Sequence, residues 1–268
     1  MIILVILVVF AAAYILSTAC RSGHPKWEVL LGWAYAHRGL HSNGVPENSM
    51  KAFRRAKEAG YGVELDVHLL SDGSLAVIHD FTLTRVAGVD VTVEDLKREE
   101  LDSYYLEGTL ETIPTLEQVL QLFDGKAPII VELKIHQNNY AELCKRTCDL
   151  LDTYNGPYCI ESFDPRCIRW LRKNRPDIIR GQLAENYFKS KNCTLPWYMK
   201  LALSHHMLNW LTLPDFVAYR YADRKNLGNF LCRKLWKAKA VSWTLVSKRE
   251  YNTATKENWI PIFEGFQP

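Results

Sequence analysis

The chain has 268 residues, 48% of them hydrophobic, with 33 basic and 30 acidic side chains and a formal net charge of +3. That length buries one large core without disulfide or metal staples, so a single globular domain follows. The small excess of positive charge, with no block of about five or six like charges, excludes a nucleic-acid partner.

Met1 to Ala19 carry no charged side chain, and at about 1.5 Å per helical residue they approach the roughly 30 Å of bilayer hydrocarbon. This predicts an N-terminal transmembrane helix: an anchor over residues 1–20, then a juxtamembrane segment over 21–33. A secretory signal would begin with a basic region, which is missing here. Arg21 and Lys26 follow the apolar run instead, and by the positive-inside rule they place the rest of the chain in the cytoplasm. The small residues Ser17-Thr18-Ala19 leave cleavage by a signal peptidase as the alternative. The seven cysteines are odd in number and show no C-x-x-C spacing. They read as free thiols, in keeping with a reducing compartment.

From residue 34 onward, β-rich runs alternate with stretches whose apolar residues recur every three or four positions, such as Met50-Phe53-Ala56 and Leu116-Val119-Leu120-Phe123. The strand candidates are Ala34 to Arg38, Gly62 to Leu69, Pro128 to Lys134, Tyr158 to Phe163, Ile178 to Leu183, Asp215 to Arg220, Val241 to Val246 and Pro261 to Glu264. Parallel strands joined by helices imply an α/β fold, a TIM (β/α)8 barrel over residues 34–268. Val67 to Leu70, Ser71-Asp72-Gly73 and Leu75 to His79 read as a hairpin extending the second strand and turning His79 over the barrel mouth. Ser49 is placed to cap a helix from Met50, and Thr92 with Glu94-Asp95 predicts a helix start within Asp90 to Leu101. Leu195 to Leu213 form an apolar helical piece that fits either core packing or an amphipathic flap on a membrane. Its adjacent His205 and His206 fall on different helix faces, which argues against a paired metal site.

In such a barrel the reacting groups sit at the carboxyl ends of the strands. His37 and Arg38 end the first candidate strand, Glu64 and Asp66 lie on the second, and Glu132 and Lys134 on the third. Two positions apart on a strand, Glu64 and Asp66 face the same way. Such carboxylates repel unless one takes up a proton or a hard divalent cation, Mg²⁺ or Ca²⁺, joins them. Glu132 adds a third oxygen, and Glu47 in the first loop a fourth or an orienting contact to water. Salt bridges to Arg38 and Lys134 are the structural alternative. His37 and His79, with an unperturbed imidazole pKa of about 6.5, suit proton transfer in both directions.

Taken in order, Ala36-His37-Arg38-Gly39, Pro46-Glu47-Asn48-Ser49, Val63-Glu64-Leu65-Asp66-Val67, Ser71-Asp72-Gly73, Ile78-His79-Asp80 and Val131-Glu132-Leu133-Lys134 closely resemble the signature of the glycerophosphodiester phosphodiesterase family. These enzymes are relatives of the phosphatidylinositol-specific phospholipases C, and the resemblance extends from Tyr35 to Val246. It implies metal ligation by Glu64, Asp66 and Glu132 and an acid/base pair in His37 and His79, with His37 the base and His79 the acid by analogy. It also implies a cyclic phosphate intermediate and charge neutralisation by Arg38 and Lys134. Trp243 corresponds to an aromatic lining the family's substrate pocket, and Phe163 is a second candidate; both also fit ordinary barrel packing. The implied substrates are glycerophosphodiesters, with membrane lysophospholipids as the alternative and a non-catalytic phosphate-binding barrel as a third possibility. Relatives close the last strand with an Ile-Thr-Asp-x-Pro type sequence, whereas this chain ends Ile262-Phe263-Glu264-Gly265-Phe266-Gln267-Pro268.

Overall fold

A computed structural model describes residues 1–190 and 193–268. Its strands are β1 (Tyr35–His37), β2 (Gly62–Leu69), β3 (Leu75–Val77), β4 (Ile129–Leu133), β5 (Tyr158–Ser162), β6 (Arg180–Ala184), β7 (Phe216–Arg220), β8 (Lys239–Leu245) and β9 (Ile260–Phe263). All but β3 are parallel to their neighbours. β1 pairs with both β2 and β9, so the eight-stranded sheet closes on itself as a barrel. β3 runs antiparallel to β2 and makes the expected hairpin.

The helices are α1 (Ile2–Ser17), α2 (Met50–Glu58), α3 (Thr84–Ala87), α4 (Leu116–Phe123), α5 (Tyr140–Leu151), α6 (Pro165–Asn174), α7 (Trp197–Ser204), α8 (Asn209–Thr212), α9 (Leu227–Phe230) and α10 (Lys248–Lys256). Side-chain caps start several of them. Ser49 accepts from the Ala52 N–H, Thr115 and Gln118 form a capping box, and Asp164 precedes a proline at the first turn of α6.

Alternation along the strands sorts the core into two sets. Ala36, Val63, Leu65, Val67, Ile129, Val131 and Ile160 pack outward against Phe53, Leu116, Leu143 and Ile168 of the helices. Tyr35, Ile130, Cys159, Phe216 and Val241 form a second apolar cluster that also takes Trp27 and Leu30. The Trp27 ring lies 5.6 Å from that of Phe216, and the Tyr35 hydroxyl donates to the Leu30 carbonyl at 2.9 Å. Trp27 and Leu30 are thereby built into the floor of the barrel. A β-carbon on Gly181 would stand 2.1 Å from the Phe216 ring and one on Gly62 2.9 Å from Tyr35, so glycine at these positions makes room for the two rings.

Three expectations are corrected. α1 ends at Ser17, and no helix among the described residues is long and apolar enough to cross a membrane. Its 16 residues span only about 24 Å at 1.5 Å each. The chain beyond it is recruited by the barrel instead: Thr18 is buried, the Cys232 thiol lies against its carbonyl, and Arg21 pairs with Asp215. The helix expected from Thr92 is two short 3₁₀ turns, Val93–Asp95 and Arg98–Ser103. Glu94 turns inward to the buried His68, 2.5 Å away, rather than staying at a helix start. The apolar piece over 195–213 likewise breaks at His206, whose φ is +58°. There the imidazole is buried 2.8 Å from Asn229 Oδ1, while His205 meets the Tyr14 hydroxyl at 3.1 Å.

Candidate active site

One step beyond the apolar floor, the same inward series turns polar. Register places His37 beside Glu64, Asp66 beside Glu132, and Glu132 beside Glu161. Glu64, Asp66 and Glu132 are buried, and each offers an oxygen within 4.8 Å of the other two, a separation that oxygens around one ion at about 2.3–2.6 Å can meet. Lys134 Nζ lies 2.6 Å from Glu132 and 3.0 Å from Asp66. Arg38 stands 3.5 Å from Asp66 through Nε, and its main-chain N–H donates to Glu64 at 3.2 Å. Asn48, its backbone held at a positive φ, donates through Nδ2 to Asp66 at 2.8 Å.

The charges do not balance among the protein groups alone. Burial, reinforced by Asp66 and Glu132, pushes the Glu64 carboxyl well above its usual range, and burial with Asp66 nearby raises Glu132 to about 7. Glu161 is raised by burial and by Glu132, and one of its oxygens has no hydrogen-bond partner. At Asp66 the effect of burial is outweighed by Lys134, His79 and Arg38, which hold the carboxyl well below its usual range. Four buried carboxyls thus face two cationic side chains. Asn48 Oδ1 and Asp66 Oδ1 are buried acceptors without a hydrogen bond, the latter ion-paired to Lys134. An all-oxygen set with excess negative charge fits a hard divalent cation.

Each candidate histidine is backed by a carboxylate. His37 Nδ1 lies 2.6 Å from Glu264 Oε2, leaving Nε2 on the side of Glu64, 3.8 Å away. The hydrogen bond to His37 draws the Glu264 carboxyl down to about 2. His79 Nδ1 lies 2.6 Å from Asp80, and burial with Lys134 and Arg38 lowers its imidazole to about 4. Asp80 is gripped by Arg85, which also reaches Glu47 at 2.6 Å, and Glu47 in turn accepts from Arg38 at 2.8 Å.

Residues 37–219 match the model of the glycerophosphoryl diester phosphodiesterase family. The chain belongs to that family. It is 34% identical over 197 residues to a glycerophosphodiester phosphodiesterase of Caldanaerobacter subterraneus subsp. tengcongensis, covering 68% of this chain and 78% of the relative. It is 34% identical to the human lysophospholipase D GDPD1 over 133 residues, which are 45% of this chain and 41% of that one. The fold is similar to that of an Oleispira antarctica phosphodiesterase solved with the product sn-glycerol-3-phosphate, with a TM-score of 0.71, 21% identity, and coverage of 87% of this chain and 93% of that one.

Within this glycerophosphodiester phosphodiesterase barrel, Glu64, Asp66 and Glu132 converge, with Arg38 and Lys134 against them. Glu47 does not join the triad, because both its oxygens are committed to Arg38 and Arg85. Phe163 lines a cavity of about 570 Å³ that begins at Glu132 and Lys134 and continues along Ile135, Tyr187, Met199 and Leu203. Trp243 backs it, its ring edge-on to Phe163 at 5.5 Å. Sequence reasoning missed Glu264, Asp80, Arg85 and Glu161. The alternation along β5 that makes Cys159 inward also makes Glu161 inward. Asp80 directly follows the candidate His79, whereas nothing local marks Glu264 or Arg85.

Proposed function

We propose that this chain hydrolyses glycerophosphodiesters to glycerol phosphate and a free alcohol, with Glu64, Asp66 and Glu132 holding Mg²⁺ or Ca²⁺. The observation that carries this reading is the buried carboxylate triad at the barrel mouth, with two histidines that each have Nδ1 against a carboxylate. The cation would polarise a phosphoryl oxygen and offset its charge. His37 Nε2 takes the proton of the glycerol hydroxyl next to the phosphodiester, and Glu264 on the far side of the ring faces the charge that forms. That oxygen bonds to phosphorus as the bond to the departing alcohol breaks, and His79 delivers a proton to the leaving oxygen. His79 is neutral on its own at pH 7, so it serves as acid only when an anionic phosphodiester offsets Lys134 and Arg38. Water then opens the cyclic phosphate with the roles exchanged. Arg38 and Lys134 stand where charge gathers on the non-bridging oxygens.

A second reading, hydrolysis of lysophospholipids, is favoured by one feature: the cavity beside Lys134 is lined by Phe81, Ile135, Phe163, Tyr187, Leu195, Met199 and Leu203, an apolar wall suited to an acyl chain. α1 has no buried residue and carries no polar side chain from Ile2 to Ala13, and we assign that uniformly apolar stretch to contact with lipid hydrocarbon, while Thr18 onward belongs to the barrel. Residues 21–33 then connect that helix to the barrel of 34–268, and the free thiols fit a cytoplasmic location. The deciding experiment compares glycerophosphocholine with lysophosphatidylcholine after chelation and again with added Mg²⁺ or Ca²⁺. Cation-dependent release of glycerol phosphate from the first supports the main reading, and preference for the second supports the other. Failure to cleave either substrate with both cations present refutes both.

A further inference from the structure

Charge is distributed unevenly along this chain. Residues 193–240 hold eight basic side chains against two acidic ones, whereas the rest of the chain holds 25 against 28. Both acids in that stretch are neutralised and nearly enclosed: Asp215 pairs with Arg21 and Asp223 with Lys189, their side chains 2% and 4% exposed. The stretch folds as α7, α8 and α9 around the last turn of α1. Tyr14 meets His205 at the end of α7, and the Trp236 indole donates to Ile15 and Thr18.

The same elements expose large apolar side chains. Trp197 is 70% exposed and Phe230 57%, and Tyr198, Trp210, Leu227 and Leu235 are all half exposed or more. Leu227 and Phe230 share a surface hollow of about 520 Å³ with Lys225, Arg233 and Lys234, whose single acid, Glu257, is already held by Arg224 at 2.8 Å. In that hollow bare leucine and phenylalanine stand beside basic side chains whose one neighbouring acid is already paired, and α7 and α8 bare tryptophan and tyrosine, a composition matched to the headgroup layer of a bilayer. A protein partner would have to present an acidic surface of its own to match these basic side chains.

We propose that α7, α8 and α9 form a docking face for an anionic phospholipid bilayer, separate from the apolar grip of α1 and independent of the reading of the active site. On this face α7 has two roles. Met199 and Leu203 line the cavity that starts at Glu132, while Trp197 and Tyr198 point to solvent, so docking would set the cavity beside the lipid surface.

The test is co-sedimentation of the full chain with vesicles of phosphatidylcholine alone and of an equimolar mixture with phosphatidylglycerol. The contribution of each basic residue near an anionic surface predicts about tenfold or more stronger partitioning into the anionic vesicles, lost at high salt. Lys225→Glu and Lys234→Glu in the hollow, with the exposed Lys237→Glu three residues further on, should together bring anionic partitioning down to the neutral level. Turnover of soluble glycerophosphocholine, measured in parallel, should be unchanged and reports that the variant is folded. Equal partitioning into both vesicle types overturns the proposal, as does undiminished anionic binding by the triple variant. Lipid-independent self-association seen by ultracentrifugation would instead assign the face to a second copy of the chain.

Discussion

At the scale of single residues, the chemistry rests on what stands behind each imidazole. His37→Ala and His79→Ala should each lower kcat by about 10²–10⁴ with the thermal midpoint preserved; a near-normal rate from either would remove that residue from the mechanism. Glu264→Gln keeps the shape but removes the anion 2.6 Å from His37, and kcat should fall about tenfold or more while KM changes little. The same variant makes a signed prediction about stability. The Glu264 carboxyl is lowered from 4.5 to about 2 in the folded protein, so its ionised form stabilises the fold above about pH 4.5, and that stabilisation is lost as pH falls toward 2. The stability difference between wild type and Glu264→Gln, measured by urea unfolding, should shrink as pH falls through that window.

At the scale of elements, strand alternation places both floor and site. One inward position along β6 is Gly181, which must lack a side chain because Phe216 of β7 occupies the space. Gly181→Ala should cost about 1–3 kcal/mol of stability by overpacking, visible as a lower urea midpoint, and Phe216→Leu in that background should recover part of it. A neutral Gly181→Ala would mean the floor is looser than its rings indicate. The excursion after β3 is the counterpart on the functional side. Leu70, Ile78, Leu83, Val93 and Leu101 give it a small core of its own, and this anchors His79 and Asp80 over the mouth although neither belongs to a barrel strand.

For the whole molecule, the cation site couples binding to folding. A group whose folded pKa is raised binds its proton more tightly in the native state, so with Glu132 raised from 4.5 to about 7, chelated protein should lose stability as pH rises through that interval. Added Mg²⁺ or Ca²⁺ should reverse the trend, contributing about 2.7 kcal/mol at a hundredfold excess over Kd, with apparent affinity rising as Glu132 gives up its proton near pH 7. Thermal unfolding across pH with and without cation measures this apart from turnover, and Glu132→Gln should abolish the cation's shift; an unchanged shift in that variant would put the ion elsewhere. The sequence by itself determined the eight strands, the closed barrel and the convergence of Glu64, Asp66 and Glu132, because strand periodicity fixes which side chains share a face and the motifs lie at strand ends. Only the tertiary structure brought Glu264 to His37, 227 residues apart, and drew Glu47 to Arg85 and Glu94 to His68. Barrel closure sets β9 beside β1, and a buried imidazole or a clustered guanidinium captures whichever carboxylate the folded loops bring within reach. The length of α1 was decided the same way: hydropathy continues to Ala19, but the helix stops at Ser17, where Thr18 and Arg21 turn in to bond with the barrel.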